Sequence, residues 1–121
     1  MHQYKELKVW QKAMEIVEST YEVSKLLPEA EKFNFSSQIT RSALSIPSNI
    51  AEGAGRGTKK DFSRFLNIAV GSSFELETQL LLIQKLFDIN THDILIGLEE
   101  VQKMIHSLQK SFEINSLNTK Y

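Results

Sequence analysis

The stretch Gly53-Ala54-Gly55-Arg56-Gly57-Thr58-Lys59-Lys60, with Arg64 one turn further on, is the densest local cluster of positive charge in the chain. Glycines leading into a helix start leave backbone N–H groups unpaired. Arg56, Lys59, Lys60 and Arg64 would add charge for a phosphate. The segment lacks the Gly-Lys-Ser/Thr ending of a Walker loop, so a nucleotide triphosphate site is not implied. Two readings stand side by side: a flexible helix–helix turn with solvated charges, and a weak anion, RNA or DNA contact that repetition around an oligomer would make multivalent.

A second constellation is the polar line Gln38, Arg41, Ser45, Ser48 or Asn49, and Glu52, running along a segment whose other side is apolar. If this segment pairs antiparallel with the next, turning at Gly53 to Gly57, Arg41 falls within about a turn of Glu75 and Asn49 comes near Ser63. An Arg41–Glu75 ion pair would then set helix register. The alternative is a polar surface lining a pocket within a ring of subunits.

Other residue types offer less. His2, His92 and His106 have no third ligand at metal-binding spacing, and no cofactor is expected. The serines have no histidine base in register and no nucleophile-elbow string. Glu75 and Glu77, like Glu99 and Glu100, point to different helix faces and read as surface groups. Trp10 and the phenylalanines sit at core spacing, as packing residues rather than a platform for stacking bases. No enzyme signature is present.

The elements that must hold these residues are set by 121 residues, 41% hydrophobic and 24% charged, with two prolines and no cysteine. That is one domain, able to remove roughly 65% of its unfolded surface from water without disulfides or a structural metal. Lys and Arg total 14 against 15 Asp and Glu, a net charge of -1. A global basic field of the kind that drives nucleic-acid binding is therefore excluded. No apolar run reaches the roughly 20 residues of a membrane span, and the opening residues lack the apolar stretch of a signal peptide, so a cytoplasmic location without membrane association is expected.

Pro28, the glycine-rich stretch and Asn90-Thr91 divide the chain into four segments with helical periodicity, at about 6–27, 35–53, 59–87 and 91–117. In the first, Leu7, Trp10, Met14, Val17 and Tyr21 form one stripe and Val9, Ala13, Ile16, Thr20, Val23 and Leu27 another. The second has Ile39, Ala43, Ile46 and Ile50, with Asn34 or Ser36 as its cap; Pro47 inside it predicts a kink or, alternatively, a break at Ser45 to Pro47. The third carries Phe62, Phe65, Ala69, Leu76, Leu80, Ile83 and Phe87, with a second stripe of Leu66, Val70, Phe74 and Leu81. Thr58 is placed to cap it. The fourth has Ile94, Leu98, Val101, Ile105, Leu108 and Phe112 opposite a solvated face.

Short connections favour an all-α, antiparallel up-and-down four-helix bundle. Segments one and three each carry two stripes where a monomeric bundle needs one. The surplus predicts self-association, unless the core is simply broad.

The strings Gln38 to Ala43, Ser45-Ile46-Pro47-Ser48-Asn49-Ile50-Ala51-Glu52-Gly53-Ala54-Gly55-Arg56 and Phe62 to Leu80, with the opening Tyr4 to Ala13, resemble the four-helix-bundle proteins encoded by intervening sequences of bacterial 23S rRNA genes. The resemblance implies an up-and-down subunit that assembles into a barrel-shaped homopentamer. A related branch, accessory proteins of diversity-generating retroelements, uses a basic pentameric surface to bind RNA and a reverse transcriptase. This slightly acidic chain departs from that branch, and its composition does not support the ribosomal label some relatives carry. The expected function is that of a non-enzymatic homo-oligomeric interaction or scaffold module. The alternatives are an RNA- or DNA-binding accessory protein using the glycine-rich turn, and an enzyme acting at subunit clefts.

Overall fold

The computed structural model describes residues 3–120, with side chains through Glu113; His2 lies outside the described residues. After a 3-10 turn at Tyr4–Glu6, four helices follow: α1 Lys8–Leu26, α2 Phe35–Ala54, α3 Lys59–Phe87 and α4 His92–Lys120. Among the described residues there is no strand.

The helix ends have local causes. Leu27 precedes Pro28 and is extended (φ -73°, ψ 150°), because a residue before proline is crowded out of the helical region. Thr58 caps α3, its side chain accepting the Asp61 N–H at 3.1 Å. At the other end of α3, Asp88 adopts a left-handed conformation (φ 54°), which a short polar side chain tolerates. Asn34 occupies the cap position of α2 without a side-chain cap; its amide goes instead to Glu31. The break considered at Ser45 to Pro47 does not occur, since α2 runs unbroken through Pro47.

Consecutive helices are antiparallel, as their cross-links show. Gln38 meets Gln79, and Ser45 meets Ser72, so α3 descends as α2 rises. Gln102 reaches Ser73, and Gln109 reaches Ser63, giving the same relation between α3 and α4. α4 closes against α1, with α2–α3 the most extensive contact. The helices thus stand around a square in chain order.

The core is the line Val9, Ala13, Ile16, Val23 of α1 meeting Ile39, Ala43, Ile46, Ile50 of α2, Phe62, Leu66, Ala69, Leu76, Leu80, Ile83 of α3, and Leu98, Val101, Ile105 of α4. Thr20, buried in that line, returns its hydroxyl to the Ile16 carbonyl at 2.7 Å and so brings no unpaired group into the core. Of the two stripes on α1, this one is buried. Leu7, Trp10 and Val17 of the other are half-buried, and Met14 and Tyr21 are 41% and 43% exposed. On α3, Leu66 is buried while Phe74 and Leu81 are 53% and 47% exposed. Phe33, in the turn before α2, is 89% exposed. Phe33 and Phe74 are therefore not the packing residues that core spacing suggested.

Candidate interaction surfaces

The polar seam between α2 and α3 is built at steps of four, three and four residues. Gln38, Ser42, Ser45 and Asn49 share the edge of α2 that faces α3. The Ser42 hydroxyl lies 2.9 Å from Glu75 Oε1 and 3.0 Å from Gln79 Oε1. Gln79 donates to Gln38 at 3.4 Å, Ser45 and Ser72 share a 2.7 Å hydroxyl contact, and Asn49 donates to Ser45 Oγ at 3.0 Å.

This seam corrects the expected register. Glu75, Gln38 and Asn49 belong to it, but the Arg41–Glu75 ion pair does not form, and Glu75 takes the neighbouring Ser42 instead. Arg41 is exposed and makes no ion pair. One residue's 100° rotation explains the difference: position 42 faces α3, where a small hydroxyl fits, and position 41 points outward, where a guanidinium stays hydrated. Glu52 also leaves the seam and pairs with Arg56 at 3.0 Å. Asn49 does not meet Ser63, which instead accepts from Gln109 of α4 at 3.2 Å. Ser42, Ser72 and Gln79 were legible only as small or polar residues at helical spacing.

Glu77 lies on the other side of α3 and accepts from Gln102 of α4 at 2.9 Å. Glu75 and Glu77 thus serve two different neighbours, as the angle between adjacent helical positions requires. Beside the core, an ion pair joins α1 to α4, Lys12 to Glu100 at 2.9 Å, and raises the Lys12 ammonium above the usual lysine value through the hydrogen bond and charge of Glu100.

At the end of the bundle formed by the α2–α3 turn, two of the four expected anion contacts are countered. Arg56 pairs with Glu52, and Arg64 lies 3.8 Å from Asp61. Both guanidiniums also lie over the Phe65 ring, 4.8 and 4.6 Å from its centroid, where the ring face attracts their charge. Lys59 and Lys60 are exposed and make no ion pair. Beside them an open cleft of about 660 Å³, between α3 and α4, is lined by Lys60, Ser63, Arg64, Gln109 and Phe112 among others. No glycine in the turn has a positive φ, so the glycines are not there to supply a left-handed bend.

Nothing in these arrangements points to catalysis. The seam serines bond to one another, to Glu75 and to amides, and His92 and His106 are exposed elsewhere. Among the described residues, no group of three or more His, Cys, Asp or Glu could hold a metal, and no helix is long and apolar enough to cross a membrane.

Comparison with known proteins gives a family and a structural relative. The model of the 23S rRNA-intervening sequence protein family matches residues 5–110. A crystal structure of a protein with unknown function from the S23 ribosomal protein family of Bacteroides thetaiotaomicron is similar at a TM-score of 0.77 and 31% identity. The match covers 84% of this chain and 98% of that one. No curated protein matches.

Proposed function

From the premise that this chain belongs to the 23S rRNA-intervening sequence protein family, we propose that it is a non-enzymatic, cytoplasmic, homo-oligomeric interaction or scaffold module. The observation that carries this reading is the apolar surface left outside the core: Met14, Tyr21, Leu44, Phe74, Leu81 and Ile96 are each 41% to 53% exposed in the single chain. Exposed apolar side chains in this number on a water-facing bundle support burial against another chain. The family resemblance supports a ring of five. Mass measurement in solution at micromolar concentration tests it: an assembly several times 13.9 kDa is expected, and a single chain at tens of micromolar overturns it.

A second reading, an accessory protein that contacts RNA or DNA through the α2–α3 turn, is favoured by one specific observation. Lys59 and Lys60 are exposed without carboxylate partners beside Arg56 and Arg64, at a position that an oligomer would repeat. Titration of labelled RNA at rising salt tests it. The reading expects affinity that falls steeply with salt, and no binding at low salt removes it.

A further inference from the structure

We propose that the cleft between the start of α3 and the facing part of α4 binds a nucleoside monophosphate, free or as an unpaired nucleotide of a strand. Asn67 and Gln109 would hold the base, and Lys59, Lys60 and Arg64 the phosphate. This deepens the nucleic-acid reading above, adding a pocket for a base to the cations on which that reading rests.

The two amides are the starting point. Gln109 of α4 is half-buried, and its Nε2 lies 3.1 Å from the Ser63 backbone oxygen, 3.2 Å from Ser63 Oγ and 2.8 Å from Asn67 Oδ1. A backbone oxygen can only accept, so the Gln109 atom facing it must be the nitrogen. The Asn67 atom that this nitrogen meets must in turn be the oxygen. Both amides are thus fixed in one orientation by a group that cannot change its role. What remains is an acceptor, Gln109 Oε1, and a donor, Asn67 Nδ2, neither with a partner among the described residues. Every nucleobase carries a donor beside an acceptor on its pairing edge, the complement of such a pair.

The cleft that these residues line has a volume of about 660 Å³, within the roughly 300–1,000 Å³ of small-molecule sites. Phe112 forms its buried wall, 7% exposed and packed on Phe62 with ring centroids 5.2 Å apart. Lys59, Lys60 and Arg64 line the same cleft, three cations against the two carboxylates of Asp61 and Glu113. Neither lysine makes an ion pair, and Arg64 holds Asp61 only at 3.8 Å, so all three can turn to a phosphate. An inorganic anion would leave the amide pair unused, and an uncharged nucleoside would leave the lysines unused. A nucleotide uses both.

The test is isothermal titration calorimetry at low salt. Its probes are the adenosine, guanosine, cytidine and uridine monophosphates, the matching nucleosides, inorganic phosphate, and a 5′-phosphorylated single-stranded tetranucleotide. A monophosphate or the tetranucleotide is expected to bind with a Kd below about 1 mM, about tenfold or more tighter than nucleoside or inorganic phosphate. Binding by the free monophosphate assigns the site to a nucleotide, and binding by the tetranucleotide alone assigns it to a strand. Asn67→Ala removes the donor while Gln109 keeps its Ser63 acceptor, and Asn67→Asp removes the donor but keeps the acceptor for Gln109. With folding checked by circular dichroism, each is expected to weaken binding by about threefold or more. Binding that both variants leave unchanged while Lys59→Glu with Lys60→Glu weakens it overturns the pocket and leaves the nucleic-acid reading standing. Binding no tighter than that of inorganic phosphate does the same. No binding of any nucleotide or of the tetranucleotide overturns both.

Discussion

Gly53, in the last turn of α2, faces Phe65 of α3 so closely that a Cβ on it would lie 2.8 Å from the Phe65 Cβ. Phe62 closes the other side, with Cδ1 at 2.9 Å and its backbone oxygen at 3.2 Å. Two of these three atoms are fixed to the α3 backbone and cannot swing away. Gly53→Ala is therefore expected to destabilise the fold by about 1–3 kcal/mol through overpacking. Gly97 gives the control. A Cβ there would lie 2.7 Å from Ile16 Cδ1, the far end of a flexible side chain, so Gly97→Ala should cost less than Gly53→Ala. Thermal unfolding of the two variants side by side measures the difference.

Leu76 is fully buried at the middle of the core. Leu76→Asp places a carboxylate where no partner is available, and burying an unpaired charge costs more than a domain's marginal stability of about 5–15 kcal/mol can absorb once packing is lost as well. Loss of helical circular dichroism at 25 °C is expected. A folded variant would mean that the bundle can open to water at its centre.

Removing the cap on α3 tests a smaller effect. Thr58→Ala leaves the Asp61 N–H without its 3.1 Å acceptor, and a cost of about 1 kcal/mol is expected from chemical denaturation. Thr58→Ser should restore most of it, because the acceptor oxygen returns.

Lys59→Glu with Lys60→Glu should leave the unfolding transition unchanged, since both side chains are exposed and make no ion pair. Any affinity for RNA at low salt should fall at least tenfold, with a shallower dependence on salt. Loss of folding in this variant would show that the turn is structural.

The Lys12–Glu100 pair has a definite sign in pH. The Lys12 ammonium titrates above its ordinary 10.5 in the folded chain, so the folded state holds the proton more tightly than the unfolded one. The stabilisation is complete below pH 10.5 and is lost as pH rises through the raised folded value. The stability difference between the wild type and Lys12→Met should be constant through neutral pH and shrink above pH 10.5.

Helix identity was open to reading from the chain because it depends on local spacing. Ile39, Ala43, Ile46 and Ile50 repeat at helical steps and are all fully buried, and Thr58 is the cap its position before α3 suggested. Side-chain partners depend on the rotation of one helix against another, which periodicity does not specify. Arg41 and Ser42 are adjacent in sequence, yet one points to water and the other to Glu75. The positive cluster was similarly visible at Arg56, Lys59, Lys60 and Arg64, whereas its partial neutralisation by Glu52 and Asp61, and the position of both arginines over Phe65, depend on side-chain geometry.

The sequence by itself determined that there are four amphipathic helices and that α1 and α3 carry more apolar surface than one seam can use, because both follow from residue type repeated at a fixed angular step. Only the tertiary structure decided which stripe is spent on the core. Val9, Ala13, Ile16 and Val23 are buried while Met14 and Tyr21 stay at the surface. Each helix can rotate about its axis to bury either stripe. The choice is made by the three other helices together, through the volume of their core side chains and the hydrogen bonds that lock α2 to α3 and α3 to α4.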